Sequence, residues 1–201
     1  MKKYISIIML LAVCCGMASA QTASQARKIL DKTAAVIGHK GGATAKFNMK
    51  GKYGNASGTI AIKGNKFCAH TDAATIWYDG KTQWTYNKKN DEVNVSTPTE
   101  AQQQQMNPYK FINIYKTGFD MTSKNVAGGY EVHLKAQNQK RSIKELYITI
   151  NRSYQPTVVK MRNDKGWTTI TLSGFQTKNL SDSQFRFNSK EYPTAEVIDL
   201  R

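Results

Sequence analysis

The sequence is poor in cysteine, and its N-terminal apolar run is too short to span a bilayer. It contains three cysteines, and two of them, Cys14 and Cys15, lie in a segment that we expect to be removed. A protein left with Cys68 alone forms no internal disulfide, so its stability must come from burial and from hydrogen-bonded sheet. The apolar run from Tyr4 to Val13 has about ten residues, whereas a membrane-spanning helix needs about twenty. A retained transmembrane anchor is therefore not expected.

The sequence also lacks the motifs of the common catalytic and cofactor sites. No Cys-x-x-Cys pair, Gly-x-Ser-x-Gly elbow, P-loop or dinucleotide fingerprint occurs. The three histidines, His39, His70 and His133, are too far apart for a short-range metal motif. The run 38–42 lacks the Lys-Ser/Thr ending of a phosphate loop and is interpreted as a connector. We expect no enzyme, no cofactor and no metal site, although acidic residues that meet only in the folded chain leave a hydrolase open.

The N-terminus has the three parts of a secretion signal. Two lysines at positions 2–3 precede the apolar run, and Ala18-Ser19-Ala20 supplies the small-x-small cleavage motif. We therefore expect residues 1–20 to be a cleaved signal peptide and residues 21–201 to form a single domain. Lipidation at Cys14 or Cys15 is the alternative, but the residues before them are not the small ones that precede a lipidated cysteine.

Basic residues outnumber acidic residues by 29 to 14. After removal of the signal, 27 basic and 14 acidic residues remain, a net charge of +13. In the cytoplasm such a charge would suggest nucleic acid. For an exported protein it points instead to an anionic membrane surface, lipid head groups or an acidic partner protein, and no nucleic acid is expected.

Residues 22–37 are predicted to form a helix, because Gly38 follows at the position of a C-terminal cap and apolar residues recur at helical spacing. Such a short helix is marginal alone and needs an apolar surface to lie on. Its stripe is thin and rich in alanine, which predicts an element able to lift. The stripe consists of Ala26, Ile29, Leu30, Thr33 and Ile37.

From Ala43 onward, apolar and polar residues alternate as in strands. Six strands follow one another through short polar turns, which predicts an antiparallel meander. A nearly all-apolar helix, Tyr109–Lys116, follows Asn107-Pro108 and should be buried or cover something apolar. Strands resume at Phe119 and end in a short closing segment, 185–187 and 197–200, expected at an edge. The total is about eleven strands, and open sheets of that size usually curl.

The stretch 75–86 predicts a β-hairpin around a two-residue Asp79-Gly80 turn of type I′. The register would then pair Tyr78 with Lys81 and Trp77 with Thr82, and it would place three large aromatic residues on one face: Trp77, Trp84 and Tyr86. Ile76 and Tyr78 would lie on the other face, and the alternation does not decide which of the two borders a core or cavity. A sheet packed solidly against the helices and a sheet enclosing an apolar cavity both fit; the pattern alone favours the solid core.

An ordered set of motifs resembles the outer-membrane lipoprotein carrier family, the LolA-like proteins. The set runs from Gly58-x-Ile60-x-Ile62-Lys63 through Asp79-Gly80-Lys81-Thr82-x-Trp84-x-Tyr86-Asn87 to Glu92-x-Asn94-Val95. Later members are Asn107-Pro108, the strand pair around Asp164-x-Gly166, and Asn179-Leu180 ahead of Phe185-x-Phe187. The resemblance covers essentially all of the mature chain.

The resemblance implies a mainly β fold with helices: a curved antiparallel sheet forming an unclosed β-barrel, covered by a helical lid. It implies a soluble periplasmic carrier, expected to be a monomer, that binds the acyl chains of lipoproteins in an apolar cavity. The carrier would receive them from an inner-membrane lipoprotein-releasing transporter and deliver them to an outer-membrane acceptor, with transient membrane contact. The alternative is a lipid-sensing periplasmic regulator that binds a membrane protein.

The hypothesis assigns residues to the cavity and to the lid. The predicted acyl cavity is lined by Phe47, Met49, Phe67, Trp77, Trp84, Tyr86, Leu146 and Ile148. The predicted lid carries Ile29, Leu30, Phe111, Ile112 and Tyr115. The resemblance departs at the turn after Ile62-Lys63, where proteobacterial carriers have an arginine thought to latch the lid and this chain has Gly64-Asn65. The latch is therefore absent or rebuilt from other groups.

Overall fold

A computed structural model of the chain describes residues 22–52, 54–100, 102–103 and 113–201. In these residues a helix lies on one face of a single twelve-stranded sheet. The predicted signal peptide and most of the predicted second helix fall outside the described residues; the described end of that helix, Ile114–Lys116, is a 3-10 turn. Helix α1 comprises residues 22–37, as predicted. No helix in the described part of the chain combines the length and the apolar character needed to cross a bilayer.

The first six strands form the predicted meander. They are β1 (Ala43–Gly51), β2 (Gly54–Lys63), β3 (Lys66–Thr71), β4 (Ala74–Tyr78), β5 (Gln83–Asn87) and β6 (Glu92–Ser96). The remaining six are β7 (Phe119–Val126), β8 (Gly129–Ala136), β9 (Glu145–Asn151), β10 (Pro156–Asn163), β11 (Gly166–Thr177) and β12 (Glu196–Asp199). The described residues thus hold twelve strands rather than about eleven.

The strands form one open sheet in the order β12-β6-β5-β4-β3-β2-β1-β11-β10-β9-β8-β7. Two meanders, β1–β6 and β7–β11, meet where β1 pairs antiparallel with β11. The closing strand β12 lies at an edge, as predicted, but it pairs parallel to β6. Breaks in register between Thr44 and Lys46 and between Pro156 and Val158 bend the sheet, because a bulge increases local twist. The predicted fold class, a curved unclosed sheet covered by a helix, is confirmed.

One part of the predicted closing segment is wrong. Residues 185–187 were expected to form a strand, but Asp182–Phe185 is a 3-10 turn that begins with a cap, the Ser181 side chain accepting from the Ser183 backbone N–H. A second 3-10 turn, Ser189–Glu191, follows. This segment packs across the sheet instead of extending it, because Leu180 and Phe185 are buried against the strands.

Candidate functional site

Helix α1 lies on one side of the sheet. We call that side the helix face and the other side the reverse face. The N-terminal half of α1 packs on β7–β10, where Ile29 and Leu30 meet Leu134 and Leu146 in a large buried cluster. Its last residue, Ile37, packs at the other end of the sheet in a separate cluster. That second cluster contains Ile62, Phe67 and Tyr78. The helix therefore bridges two hydrophobic clusters across the sheet.

Between the two clusters, the stripe of α1 carries a buried polar group. Thr33 lies one helical turn from both Ile29 and Ile37, and it is 3% exposed. Its hydroxyl has no hydrogen-bond partner among the described residues. A buried hydroxyl without a partner costs free energy, because it has lost its bonds to water. At the middle of its contact with the sheet, α1 therefore buries a polar group without a hydrogen bond, whereas its two ends bury apolar side chains.

The strands between those of the two clusters, β1 and β11, present half-buried apolar side chains on the helix face. Phe47 pairs with Gly58 on β2 and with Leu172 on β11, and Met49 pairs with Ile170 on β11. Phe47, Met49, Ile170 and Leu172 are all half-buried, whereas the clusters at either end are nearly closed to solvent. The helix face thus has an apolar floor on β1 and β11 that is more exposed than the two clusters that α1 contacts.

Glycine at position 58 is required by the close approach of two neighbouring groups. A Cβ there would lie 1.8 Å from the carbonyl oxygen of His70 and 3.3 Å from Cε1 of Phe47. Any larger residue would displace the β3 backbone or the Phe47 ring. The half-buried position of Phe47 on the helix face therefore depends on Gly58.

Polar contacts fasten the exposed edges of α1 to the sheet and to the turn 114–116. The Tyr115 hydroxyl donates to Asp31 Oδ1 at 2.5 Å, and Arg27 Nη2 donates to the Lys116 carbonyl at 3.3 Å. Burial, and then the bond to Asp31, raise the pKa of Tyr115 well above its usual range, so this hydroxyl stays protonated as a donor. On the opposite edge, Lys32 Nζ donates to the Tyr154 hydroxyl at 3.1 Å.

Tyr154 is held in an unusual backbone conformation. Its φ is +59°, in the left-handed region that side chains with a Cβ adopt at a cost. Its ring lies under the Lys32 ammonium, 4.7 Å from Nζ to the ring centre, and stacks on Tyr130. The bonds from Lys32, and then from Tyr130, lower the pKa of Tyr154. The β9–β10 turn thus presents a strained tyrosine to α1.

Lysines on either side of the Gly64-Asn65 turn contact residues 180–192, which we call the C-terminal segment. Lys63 Nζ donates to the Leu180 carbonyl at 2.8 Å and lies 2.9 Å from Asp182 Oδ1. Lys66 Nζ lies 2.8 Å from Asp182 Oδ2. The bond from Lys66, followed by that from Lys63, lowers the pKa of Asp182 to about 2. These lysines therefore hold the C-terminal segment on the reverse face, and the contacts to α1 described above come from other residues.

Most of the sequence-predicted cavity and lid residues lie on the helix face. Strand pairing places five predicted cavity residues there: Phe47, Met49, Phe67, Leu146 and Ile148. Three predicted lid residues share one cluster with Leu146 and Ile148: Ile29, Leu30 and Tyr115. Phe111 and Ile112 fall outside the described residues. The sequence prediction missed Thr33 as the unsatisfied group on the stripe.

The structure does not bring the other three predicted cavity residues to this face. Trp77, Trp84 and Tyr86 lie on the reverse face, where the C-terminal segment packs on them. The Trp77 ring centre is 5.6 Å from that of Phe187 and 5.6 Å from that of Tyr192. The eight predicted cavity residues therefore do not share one face of the sheet, because alternation fixes which residues share a face but not what covers it.

The predicted hairpin register is also wrong. Tyr78 pairs with Gln83 and Trp77 pairs with Trp84, so the loop has four residues, Asp79–Thr82. Asp79 Oδ1 accepts from the backbone N–H groups of Lys81 and Thr82 at 3.0 and 2.9 Å, which closes this longer loop. The type I′ geometry is absent because Asp79 has no positive φ, while Gly80 has φ +104°. The slip preserves the two faces, so Ile76 and Tyr78 lie on the helix face.

The reverse face also carries a groove of about 590 Å³ between the C-terminal segment and strands β2–β4, with Cys68 and His70 among its lining residues. Cys68 is 2% exposed, and burial raises the pKa of its thiol to about 12. Its Sγ lies 3.1 Å from His70 Nε2. Burial, and then the charge of Lys88, lower the pKa of His70. A thiol held protonated in this way is a weak nucleophile.

Within the described ranges, no group of three or more His, Cys, Asp or Glu side chains is arranged to hold a metal ion. The arrangement that the helix face offers is apolar: a broad floor of strand side chains, a narrow helix over it, and polar bonds at the helix edges. Such a face binds apolar groups by burial.

Comparison with known proteins identifies the family. Residues 17–165 match the family model described as outer membrane lipoprotein carrier protein LolA. Comparison with curated proteins finds no match. A crystal structure of an uncharacterized conserved protein from Thermus thermophilus has the same fold, with a TM-score of 0.59, 13% identity, and coverage of 87% of this chain and 99% of that chain.

Two further structures align more loosely. A putative outer membrane lipoprotein-sorting protein domain from Vibrio parahaemolyticus has a TM-score of 0.47 and 12% identity over 85% of this chain and 99% of that one. The Pseudomonas aeruginosa MucA/MucB complex aligns with a TM-score of 0.45 and 12% identity, covering 83% of this chain and 62% of that one. The family model covers most of the chain, and the predicted resemblance is confirmed: the chain belongs to the outer membrane lipoprotein carrier protein LolA family.

Proposed function

We propose that the protein is a periplasmic carrier that binds the acyl chains of lipoproteins on the helix face and moves them from the inner to the outer membrane. The observation that carries the proposal is the apolar floor around Phe47 and Met49, which is half-buried on the helix face between the two clusters that α1 contacts. Membership of the family supports the same role. The inner-membrane transporter and the outer-membrane acceptor enter as partners through that membership alone.

Burial of the acyl chains supplies the affinity in this proposal. Each methylene removed from water contributes about 0.8 kcal/mol, so a chain laid along the floor binds without any polar recognition. Release then requires a second state in which α1 and the chain compete for the same surface. The bonds from Tyr115 to Asp31 and from Lys32 to Tyr154 stabilise the covered state, and they break when α1 lifts.

A displacement assay tests the site directly. A fluorescent hydrophobic probe bound to the purified protein should be displaced by a triacylated peptide, and the same peptide without acyl chains should leave it bound. Phe47→Gln should weaken probe binding about tenfold, equivalent to about 1.4 kcal/mol. Phe187→Gln is the matched control, because Phe187 is also half-buried but packs on the reverse face.

The outcomes separate the alternatives. Loss of binding in both variants, or in neither, would remove the helix face as the site. A transfer assay then tests carriage itself: lipoprotein taken from inner-membrane vesicles should appear on vesicles bearing the acceptor. A lipid-sensing regulator would bind the probe in the same assay but would retain a membrane protein partner and transfer nothing.

A further inference from the structure

The two halves of the reverse face differ in what covers them. The half formed by β2–β5 lies beneath the C-terminal segment, where Leu180, Phe185 and Tyr192 pack on the strands. On β8–β11 and β1, the same face carries exposed side chains, including Lys46, Lys160 and Trp167. We call these outward residues of β8–β11 and β1 the basic face. It lies on the opposite side of the sheet from the proposed acyl site.

The cations of the basic face are in excess over its acids. Glu145 already has two partners: its Oε2 lies 2.9 Å from Arg162 Nε, and its Oε1 lies 2.9 Å from His133 Nε2. Glu131 forms an ion pair with Lys124 on the neighbouring strand, with 2.8 Å between Oε1 and Nζ. Four exposed lysines make no ion pair with any residue that the structure describes: Lys46, Lys50, Lys135 and Lys160. The face therefore presents positive charge that no acidic residue in the described part of the chain neutralises.

An exposed tryptophan lies among these cations. Trp167 is 45% exposed, unusual for so large an apolar side chain. Its ring centre is 6.0 Å from that of Tyr147 and 5.9 Å from the guanidinium carbon of Arg162. The two aromatic residues line a groove of about 450 Å³ together with Glu131, Lys160 and Thr169. Tryptophan, tyrosine and lysine side by side are typical of surfaces at the boundary between lipid and water.

We propose that the basic face docks on the surface of an anionic lipid bilayer, with the lysines on the head groups and Trp167 at the interface. Lysine-rich surfaces are attracted to anionic leaflets, and the attraction falls off within a Debye length. A protein partner fits less well, because the cores of protein interfaces are depleted in lysine. Docking by this side leaves α1 on the far side of the sheet, free to lift.

Vesicle sedimentation tests the proposal with the purified protein. Binding should be strong to phosphatidylcholine vesicles that contain phosphatidylglycerol, weak to phosphatidylcholine alone, and lost at high salt. Each lysine near an anionic surface strengthens binding about fivefold, so the triple variant Lys46→Gln, Lys50→Gln, Lys160→Gln should bind about a hundredfold more weakly. The control triple, Lys89→Gln, Lys140→Gln, Lys190→Gln, changes the same charge at exposed positions elsewhere and should change binding little.

Fluorescence supplies a second measurement. The emission of Trp167 should shift to the blue on binding anionic vesicles, and Trp167→Phe should abolish the shift because Trp77 and Trp84 lie beneath the C-terminal segment. Equal binding to neutral vesicles, equal losses in the two triple variants, or an emission shift that persists in Trp167→Phe would overturn the proposal. The lysine triple should still bind the hydrophobic probe normally, so failure here is distinguishable from failure of the proposed acyl site.

Discussion

Replacing Thr33 by valine should stabilise the protein, although the threonine is buried in the contact between α1 and the sheet. The side chain is 3% exposed, and its hydroxyl has no partner among the described residues. An unsatisfied buried polar group costs about 1–3 kcal/mol. Valine has nearly the same shape, and its helix propensity is close to that of threonine. We expect the free energy of unfolding to rise by about 1 kcal/mol.

Urea unfolding measures this change. For a chain of this size the free energy of unfolding falls by about 2 kcal/mol per molar urea, so the midpoint should rise by about 0.5 M at unchanged slope. The stronger hold on the sheet should also weaken binding of the hydrophobic probe, because α1 must lift to admit it.

Thr75→Val is the matched control. Thr75 is also 3% exposed, but its hydroxyl lies 3.3 Å from His70 Nδ1, so valine there removes a satisfied bond and should lower stability by about 1 kcal/mol. If Thr33→Val lowered stability to the same extent, the Thr33 hydroxyl would have to be satisfied in solution. The reasoning that α1 is held least firmly at its centre would then fail.

Three further predictions concern other parts of the fold. Tyr115→Phe removes the bond to Asp31 and should speed amide hydrogen exchange along α1 with little change in the sheet; uniform protection across both would contradict the role of that bond as a fastening. Leu146→Ala should lower the free energy of unfolding by about 2–5 kcal/mol, because this side chain is fully buried; a smaller loss in urea would mean that the cluster collapses around it. Above pH 9 the free energy of unfolding should fall by up to about 1.4 kcal/mol per unit until about pH 12, because burial raises the Cys68 pKa from 9.0 to about 12 and the unfolded thiol ionises first; Cys68→Ala should remove this part of the slope, and an unchanged slope would refute it.

The sequence was informative wherever a single chain segment determines its own structure. The stripe of residues 22–37 predicted α1 because helical spacing and the following glycine act locally. Alternation predicted the meander for the same reason. The hairpin register failed because the Asp79 carboxylate bonds two backbone N–H groups at once and so stabilises a four-residue loop where two were expected. The loop composition does not distinguish these two closures.

To predict what covers the aromatic residues of β4 and β5, one would need to know where a segment distant in sequence packs. Trp77 and Trp84 are paired across a strand, but the groups that cover them, Phe187 and Tyr192, lie in an irregular segment with 3-10 turns and no period to read. The parallel pairing of β12 with β6 is likewise set by that segment's path over the sheet. The hydroxyl of Thr33 was missed because its lack of a partner exists only once helix and sheet are in contact.

The join between β1 and β11 has a consequence for how the chain folds. Every other antiparallel pair in the sheet connects strands that follow one another along the chain, so each meander can form from local contacts. The pair Phe47 and Leu172 instead joins positions separated by more than half the chain. Closing so long a loop is slow, because its entropy must be lost before the contacts are gained. The two meanders should therefore form early and separately, and their union at β1–β11 should set the folding rate and expose two sheet edges until it is complete.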